Sequence, residues 1–332
     1  YITSKNVRNN YIDFSDVKYI SEEDYSSIST NRRIEKNDLL ITMIGTIGEA
    51  AFVSNFTEFY GQNMYLVRLD ESIINRYFYY YFLTSDNIKN SLVSKKNKSS
   101  QGYIKAGSIE NLQIPIPPLP VQSEIVRILD NFTELTTELT TELTARKKQY
   151  EYYRDELLTF GEDVKWKTLS DVLKIKNGKD YKQFKEGTIP VYGSGGIMTY
   201  IDTFVLDKPS VLIPRKGSVD KLYYVDVPFW TVDTIFYTEI YTNVVIPKFV
   251  FYYLQKEHLE QYNTAGGVPS LTQTVLNRIA FPVPSLDEQE RIVAILDKFD
   301  SLSTDISIGL PAEIEARKKQ YEYYRDKLLT FK

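Results

Sequence analysis

Hydrophobic residues recur three and four positions apart in two stretches of the chain. The stripe comprises Ile125, Ile128, Leu129 and Phe132 in the first stretch, and Ile292, Ile295, Leu296 and Phe299 in the second. This spacing is typical of one face of an α-helix. Prolines precede each stripe and polar or acidic residues open it, as expected where a helix begins. The pattern predicts two helices of about 35 to 45 residues each, far above the globular mean.

The two stretches are copies of one another. Residues 114–132 and 281–299 agree at 10 of 19 positions, and ARKKQYEYYRDELLTF (145–160) matches ARKKQYEYYRDKLLTF (316–331) at 15 of 16. A long helix with an apolar stripe needs a long partner to cover that stripe. We therefore expect the two helical copies to pack on each other.

The copies differ in the middle. The first reads TELT three times (133–144), whereas the second has DSLSTDISIGLPAEIE (300–315), which is four residues longer. Gly309 and Pro311 predict a local break or kink in the second copy. One four-residue unit adds ~6 Å to a helix. The repeat is either harmless low complexity or a spacer of adjustable length.

Two globular segments, 1–113 and 161–280, alternate with the helical segments 114–160 and 281–332. Both are rich in short Val, Ile, Tyr and Phe runs divided by turn residues, and both contain an aromatic helical stretch. The order predicts an α/β (α+β) protein with two globular domains related by a pseudo-twofold axis. About 30 residues (161–190) of the second domain have no counterpart in the first, which predicts that the first lacks its N-terminal part.

Composition narrows the chemistry. The chain has no cysteine and a single histidine, His258, which excludes thiolate sites and His–His metal clusters. No apolar run is long enough to cross a bilayer, so we expect no membrane association. The absence of cysteine fits a reducing compartment, and we expect a cytoplasmic location. The net charge of −4 does not exclude nucleic acid, because local basic clusters decide that question.

The repeated helix ends, the TELT repeat and the P-x-P-x-L-x-x-Q-x-x-I-V start of each helical copy resemble the specificity subunits of type I restriction–modification systems. The resemblance covers essentially the whole chain. It implies two target-recognition domains, 1–113 and 161–280, that each read half of a split site in double-stranded DNA. It also implies that the helices 114–160 and 281–332 form an antiparallel coiled coil that sets the distance between them.

The resemblance implies further that the chain performs no chemistry and binds no cofactor. S-adenosylmethionine, ATP and magnesium are expected on its partners, which are two methyltransferase subunits and two restriction (motor–nuclease) subunits. Two copies of one partner require two equivalent surfaces, which accounts for the near-identical helix ends. The candidate partner-binding residues are Arg146, Lys147, Tyr150, Tyr153 and Arg154, with their twins Arg317, Lys318, Tyr321, Tyr324 and Arg325.

Candidate DNA contacts lie in polar loops of each domain, where amines, amides and hydroxyls suit phosphates and base edges. In the first domain they are Lys95, Lys96, Asn97, Lys98, Ser99, Ser100 and Gln101. In the second they are Lys176, Asn177, Lys179, Arg215, Lys216, Thr264, Ser270 and Gln273. The loops 42–49 and 214–221 form a further matched pair. An ordinary solvated loop is the alternative for each.

Two other functions are alternatives to DNA recognition. A free-standing DNA-modifying enzyme lacks its cofactor and catalytic motifs, and YGSGG (192–196) precedes a strand-like segment instead of a phosphate-binding helix. A coiled-coil scaffold with protein- or glycan-binding domains is the second alternative, although DNA recognition explains the repeat pattern best. Such a scaffold predicts no salt-dependent affinity for DNA, whereas phosphate contacts weaken steeply as salt rises.

Overall fold

The structure is a computed structural model that describes residues 1–30, 33–54, 56–97, 102–263, 266, 269–304 and 309–331. The chain divides into two compact units. The first unit combines Tyr1–Leu139 with Ile314–Lys332, and the second is Thr140–Glu313. Each unit therefore contains one globular segment and parts of both helical copies. No helix among the described residues is long and apolar enough to cross a membrane.

The first unit begins with short strands and helices and continues into the long first helix. Its elements up to that helix are β1 (Val7–Arg8), β2 (Tyr11–Ile12), α1 (Glu22–Ser29), β3 (Leu39–Thr42), β4 (Ala50–Phe52), β5 (Met64–Val67), α2 (Arg76–Leu83), α3 (Asp86–Ser94), α4 (Gly107–Glu110) and α5 (Leu119–Leu157). The described part of the chain also contains three one-turn 3₁₀ helices. They are Ser4–Asn6 in the first unit, and Leu169–Asp171 and Leu259–Tyr262 in the second.

Strand β3 is the centre of the first unit. It lies between β4 and β5 in an antiparallel sheet, and all four of its residues are buried. Because successive side chains of a strand point to opposite faces, Leu39 and Ile41 pack with α2, whereas Leu40 packs with Ile2 and Val7 on the other side. The continuous apolar run LLI is therefore a strand buried on both faces.

The second unit repeats this plan with more strands. Its elements are β6 (Lys165–Thr168), β7 (Leu173–Asn177), β8 (Glu186–Gly193), β9 (Gly196–Ile201), β10 (Ser210–Pro214), β11 (Tyr223–Val225), β12 (Trp230–Thr231), β13 (Ile235–Ile240), α6 (Pro247–Lys256), α7 (Gln273–Leu276), β14 (Ala280–Val283) and α8 (Leu286–Thr304). The strand orders are β11-β10-β13-β7, β12-β8-β9 and β14-β6, and only the β12–β8 pair is parallel.

Strand β10 and helix α6 are the second unit's counterparts of β3 and α2. All five residues of β10 are buried, and α6 begins with Pro247, whose missing N–H is harmless in a first helical turn. Phe249 and Tyr253 of α6 pack in one core with Ile292 and Leu296 of α8. The aromatic stretches of the sequence are thus buried helices that join each sheet to a long helix.

The second helical copy contains a bend at Gly309. The structure describes it as α8 and then α9 (Leu310–Leu329), and residues 305–308 between them lie outside the described part. Gly309 is a bend directly before α9, and Pro311 is the second residue of that helix. This matches the break predicted at Gly309 and Pro311. The first copy is one continuous helix of 39 residues, as predicted.

Aromatic side chains join the two helical copies within each unit. In the first unit Phe132 of α5 stacks on Tyr324 of α9, with ring centroids 5.6 Å apart. In the second unit Tyr153 of α5 stacks on Phe299 of α8 at 5.5 Å. The beginning of one copy therefore pairs with the end of the other, which is the antiparallel pairing expected of the two helices.

Candidate nucleic-acid interface

In the second unit, two predicted loops meet directly. Arg215 and Lys216 follow β10, and the backbone oxygen of Arg215 accepts a hydrogen bond from the N–H of Leu271 at 2.9 Å. Lys216 pairs with Ser270 in an isolated antiparallel bridge. Gly217 has a φ of 80°, a left-handed conformation that glycine adopts without strain. The loop 214–221 and the segment around Ser270 therefore form one surface. The side chain of Lys216 is exposed on it.

The end of β7 reaches the same edge of the sheet. Strands β7 and β10 both pair antiparallel with β13, so both of their carboxyl ends lie where β13 begins. Asn177 pairs with Phe236, and the guanidinium of Arg215 lies 5.6 Å from the centre of the Phe236 ring. The exposed Lys179 follows, with its backbone N–H bonded to Thr231. Asn177, Lys179, Arg215 and Lys216 are thus brought together.

Two further candidate DNA contacts of the second unit are Lys176 and Gln273. The Lys176 amine lies 3.7 Å from the carboxylate of Glu239, so part of its charge is neutralised within the chain. Gln273 is the first residue of α7, three residues after Ser270, and is half-buried. Thr264 lies outside the described residues.

The first unit builds the same loop pair. The N–H of Ile104 donates to the backbone oxygen of Met43 at 3.0 Å, and Ile44 pairs with Tyr103 in an isolated antiparallel bridge. Gly45 has a φ of 71°, like its counterpart Gly217. The two predicted loops of each unit, 42–49 with the segment ending at Tyr103 and 214–221 with the segment ending at Ser270, therefore share one arrangement.

Basic residues flank the first unit's loop pair. Lys95 and Lys96 follow α3 and are exposed, and Asn97 accepts a hydrogen bond from the N–H of Tyr103 at 2.8 Å through its side chain. Lys98, Ser99, Ser100 and Gln101 lie outside the described residues. A cleft of about 610 Å³ beside the loops is lined by Lys5, Lys18 and Lys96, with Asp16 as an opposing acid. Amines, amides and glycine turns at one sheet edge can bind phosphates and base edges.

The candidate partner surface on the helices divides into exposed and packed residues. Lys147 and Lys318 are exposed, and Arg146 and Arg317 bond to Gln149 and Gln320 one turn away. By contrast, four of the candidates pack against their own units, namely Tyr150, Arg154, Tyr321 and Arg325. Tyr153 and Tyr324 are partly exposed while they stack on Phe299 and Phe132.

The packed candidates occupy matching sites in the two units. The guanidinium of Arg154 lies 5.8 Å from the Tyr150 ring centre, and that of Arg325 lies 5.2 Å from the Tyr321 ring centre. Arg325 also lies 2.8 Å from Asp86. Burial raises the pKa values of Tyr150 and Tyr321. The most exposed tyrosines of the signature are instead Tyr152 and Tyr323, at 65% and 60%.

Sequence reasoning did not identify a polar clamp at the start of each helical copy. The clamp residues are Gln122 and Gln289, both fully buried, and the pairs Tyr81–Asp130 and Tyr252–Asp297, whose hydroxyl–carboxylate distances are 2.5 Å. Burial and the hydrogen bond to the neighbouring carboxylate raise the pKa of each of these tyrosines. The signal was present, because the glutamine and the aspartate are among the identical positions of 114–132 and 281–299.

Comparison with known proteins assigns the chain to a family. The sequence matches the family described as type I restriction modification DNA specificity domain twice, at residues 1–147 and 161–316. The chain therefore belongs to this family. It is a non-catalytic specificity subunit that recognises DNA sequence, and the resemblance drawn from its repeated helices is confirmed.

Two bacterial relatives of the chain are named as type I restriction enzyme specificity subunits. The chain is 37% identical to the specificity subunit of type I restriction enzyme EcoR124I/EcoR124II of Escherichia coli, over 79% of this chain and 72% of the relative. It is 32% identical to a putative type I restriction enzyme specificity subunit of Haemophilus influenzae, over 82% and 77%.

Among solved structures, the S subunit of a type I system from M. genitalium has a TM-score of 0.58 at 21% identity, over 91% of this chain and 86% of that one. A chain from a structure on complex assembly and conformational transition of the type I R-M system has a TM-score of 0.66 at 17% identity, over 90% and 82%. These two likenesses concern the fold alone.

Proposed function

We propose that this chain reads a split DNA target, with one recognition unit on each half-site, within a type I restriction–modification complex. The observation that supports this proposal is the duplicated loop pair. Each unit carries the same backbone bridge, Ile44 to Tyr103 or Lys216 to Ser270, at one edge of its sheet. Two related readers on one chain are suited to two separate half-sites.

The side chains on the two loop pairs differ, which favours different half-sites. At the position where the second unit has Arg215, the first has Met43, and Ile44 stands where the second has Lys216. Arginine can bind guanine through two parallel hydrogen bonds, whereas an apolar side chain suits a thymine methyl group. The target would therefore be asymmetric, with its basic reader in the second unit.

The repeated helix ends would recruit two methyltransferase subunits and, in the full complex, two restriction subunits. S-adenosylmethionine, ATP and magnesium would then be bound by these partners, and the complex would act in the cytoplasm. Such recruitment would use the exposed residues of the two signatures, including Lys147 and Lys318.

The TELT repeat would set the length of unspecified DNA between the half-sites. Its leucines are half-buried, its glutamates are exposed, and threonine hydroxyls such as that of Thr137 donate to the carbonyl four residues earlier. The repeat is therefore part of a continuous helix, and removing one unit would shorten that helix by ~6 Å without changing its face pattern greatly.

The test is methylation-resolving sequencing of DNA from cells that carry the gene and its methyltransferase partner, with and without one TELT unit. We expect a split motif whose gap shortens by one or two base pairs, given ~3.4 Å per step, while both half-sites stay unchanged. A continuous motif, or no motif in cells where the complex is confirmed to assemble, would contradict the proposal.

A further inference from the structure

A second segment lies beside the Arg215 loop in the second unit. The hairpin between β8 and β9 has Ser194 and Gly195 at its tip. The Ser194 N–H lies 3.3 Å from the Thr234 hydroxyl, and the backbone oxygen of Thr234 accepts the N–H of Arg215 at 2.9 Å. The Tyr223 hydroxyl donates a hydrogen bond to the Ser194 carbonyl at 3.2 Å. The hairpin tip is therefore fixed at the sheet edge that carries the DNA candidates.

The first unit places an equivalent segment at the equivalent edge. Ile2 forms a parallel bridge with Gly61, as β8 does with β12. The Met43 N–H donates to the backbone oxygen of Asn63, matching the bond from Arg215 to Thr234. The residues after Ile2 are Thr3, Ser4 and Lys5, and the Ser4 carbonyl lies 3.4 Å from the Thr46 hydroxyl of the recognition loop. Thr3–Lys5 thus corresponds to Gly193–Gly195.

The two segments offer different chemistry in the same place. Lys5 is exposed and lines the cleft that also contains Lys18, Lys96 and Gly45. Three amines face a single lining carboxylate, Asp16, which makes this cleft a favourable site for a phosphate.

Gly195 stands where the first unit has Lys5, and its lack of a side chain has no cause within the described chain. Its φ is outside the left-handed region, and a Cβ added there would meet no described atom within 4 Å. Gly178 and Gly187 of the same unit are glycines for a different reason, because backbone atoms crowd them. A Cβ at Gly178 would lie 2.0 Å from the Val232 backbone oxygen, and at Gly187 it would lie 2.4 Å from that of Ile201. A glycine with open space before it is suited to the close approach of another molecule's backbone.

We propose that Thr3–Lys5 and Gly193–Gly195 form a further contact with the DNA backbone in each unit. Lys5 binds a phosphate in the first unit, and Gly195 lets the sugar–phosphate backbone approach the hairpin tip in the second. This inference rests on the proposed function. It concerns affinity and position on the duplex and leaves base recognition to the loops, because phosphate contacts carry no sequence information directly.

The experiment measures binding of the assembled methyltransferase complex to a labelled duplex containing both half-sites, in competition with a mixed-sequence duplex, over a range of salt concentrations. Lys5→Ala should weaken binding to both duplexes about equally, by about 3- to 10-fold, and lower the slope of log affinity against log salt by about 1. Gly195→Ala should weaken binding by about 10-fold, because the new methyl group meets the DNA backbone.

Matched controls separate local contact from general effects. Lys36→Ala removes the same charge from the turn that precedes β3, at the other end of that strand. Gly161→Ala adds the same methyl group between α5 and β6, where it would meet only the flexible end of Asp163. Both control complexes should bind like the unaltered one, and all four variants should keep its melting temperature.

The outcomes distinguish the two proposals. If the unaltered complex prefers its target but Lys5→Ala and Gly195→Ala match their controls, this inference is overturned and the proposed function stands. If the unaltered complex shows neither a preference nor salt-dependent affinity, the proposed function fails and this inference with it.

Discussion

The side-chain oxygen of Gln122 accepts a hydrogen bond from the backbone N–H of Asn75 at 2.7 Å. The Gln122 amide donates to the carbonyls of Ile73 and Pro117 at 3.1 and 2.7 Å. Gln289 makes the same three bonds in the second unit, to Ile246, Val244 and Pro284. One buried amide thus fastens the first turn of a long helix to the start of the aromatic helix beside it.

Replacing this glutamine should destabilise its unit. Gln122→Leu keeps most of the side-chain volume but leaves one buried N–H and two carbonyls without their partner, which should cost about 3 kcal/mol of unfolding free energy. Denaturant unfolding of the purified chain measures this cost. The exposed Gln113→Leu is the control, and an equal effect of the two substitutions would show that Gln122 does not act as a clamp.

A buried tyrosine in α2 should make the fold sensitive to alkali. Burial raises the pKa of Tyr79 to about 12, whereas an exposed tyrosine in the unfolded chain has a pKa of about 10. Between these values the folded state keeps a proton that the unfolded state has lost, so raising the pH favours unfolding. The stabilising contribution is complete below about pH 10 and declines towards about pH 12, at up to about 1.4 kcal/mol per pH unit.

Tyr79→Phe should remove that part of the decline. Denaturant unfolding at pH 8, 10 and 11 provides the measurement, and the difference between variant and unaltered protein should shift in favour of the variant above pH 10. The matched control is Tyr19→Phe, which removes the same hydroxyl from an exposed position. A constant difference across the three pH values would contradict the assignment.

Much of the fold could be predicted because it is encoded locally and twice. The helix starts at 114–132 and 281–299, the aromatic helices and the matched loops follow from spacing, turn residues and repetition. Other features depend on tertiary contacts. Which side of a signature helix is buried is decided by the residues packed against it, so Tyr150 is buried while Tyr152 two positions later is exposed.

The candidate site shows the same limit. Lys216 and Ser270 stand out as polar loop residues, but their pairing depends on how β10 and the segment before α7 come together. The contact proposed for the Gly193–Gly195 segment could not be predicted from the sequence, because a glycine-rich turn has many causes. Only the position of the hairpin beside Arg215 separates these causes.

The two basic residues of the second unit's loop should act differently on DNA. Arg215 carries a planar guanidinium that lies 5.6 Å from the Phe236 ring centre, which restricts its orientation, whereas Lys216 is an exposed amine. We expect Arg215→Ala to relax discrimination at one base pair by about 1 to 3 kcal/mol. Lys216→Ala should instead weaken all sequences alike and lower the salt slope by about 1.

Binding to a set of duplexes with single base-pair changes, each at several salt concentrations, distinguishes the two effects. Arg215→Lys is the conservative variant, which retains the charge but not the two parallel hydrogen bonds of a guanidinium. It should therefore keep the salt slope of the unaltered complex without restoring discrimination. Identical profiles for Arg215→Ala and Lys216→Ala would assign both residues to phosphate contacts.

The exposed tyrosines of the two signatures provide the sharpest test of partner recruitment. Tyr152 and Tyr323 are twins with large exposed rings, and aromatic residues of this kind contribute strongly to protein interfaces. We expect Tyr152→Ala to weaken one methyltransferase site by at least about 2 kcal/mol, roughly 30-fold, and to leave the other intact. Native mass spectrometry near the dissociation constant should then show complexes with one partner.

Tyr323→Ala should give the same result, and the double variant should retain neither partner. Tyr19→Ala, at a tyrosine that is 90% exposed outside the signatures, should still bind two. Two bound partners in both single variants and in the double variant would exclude these rings from the docking surface and leave Lys147 and Lys318 as the next residues to replace.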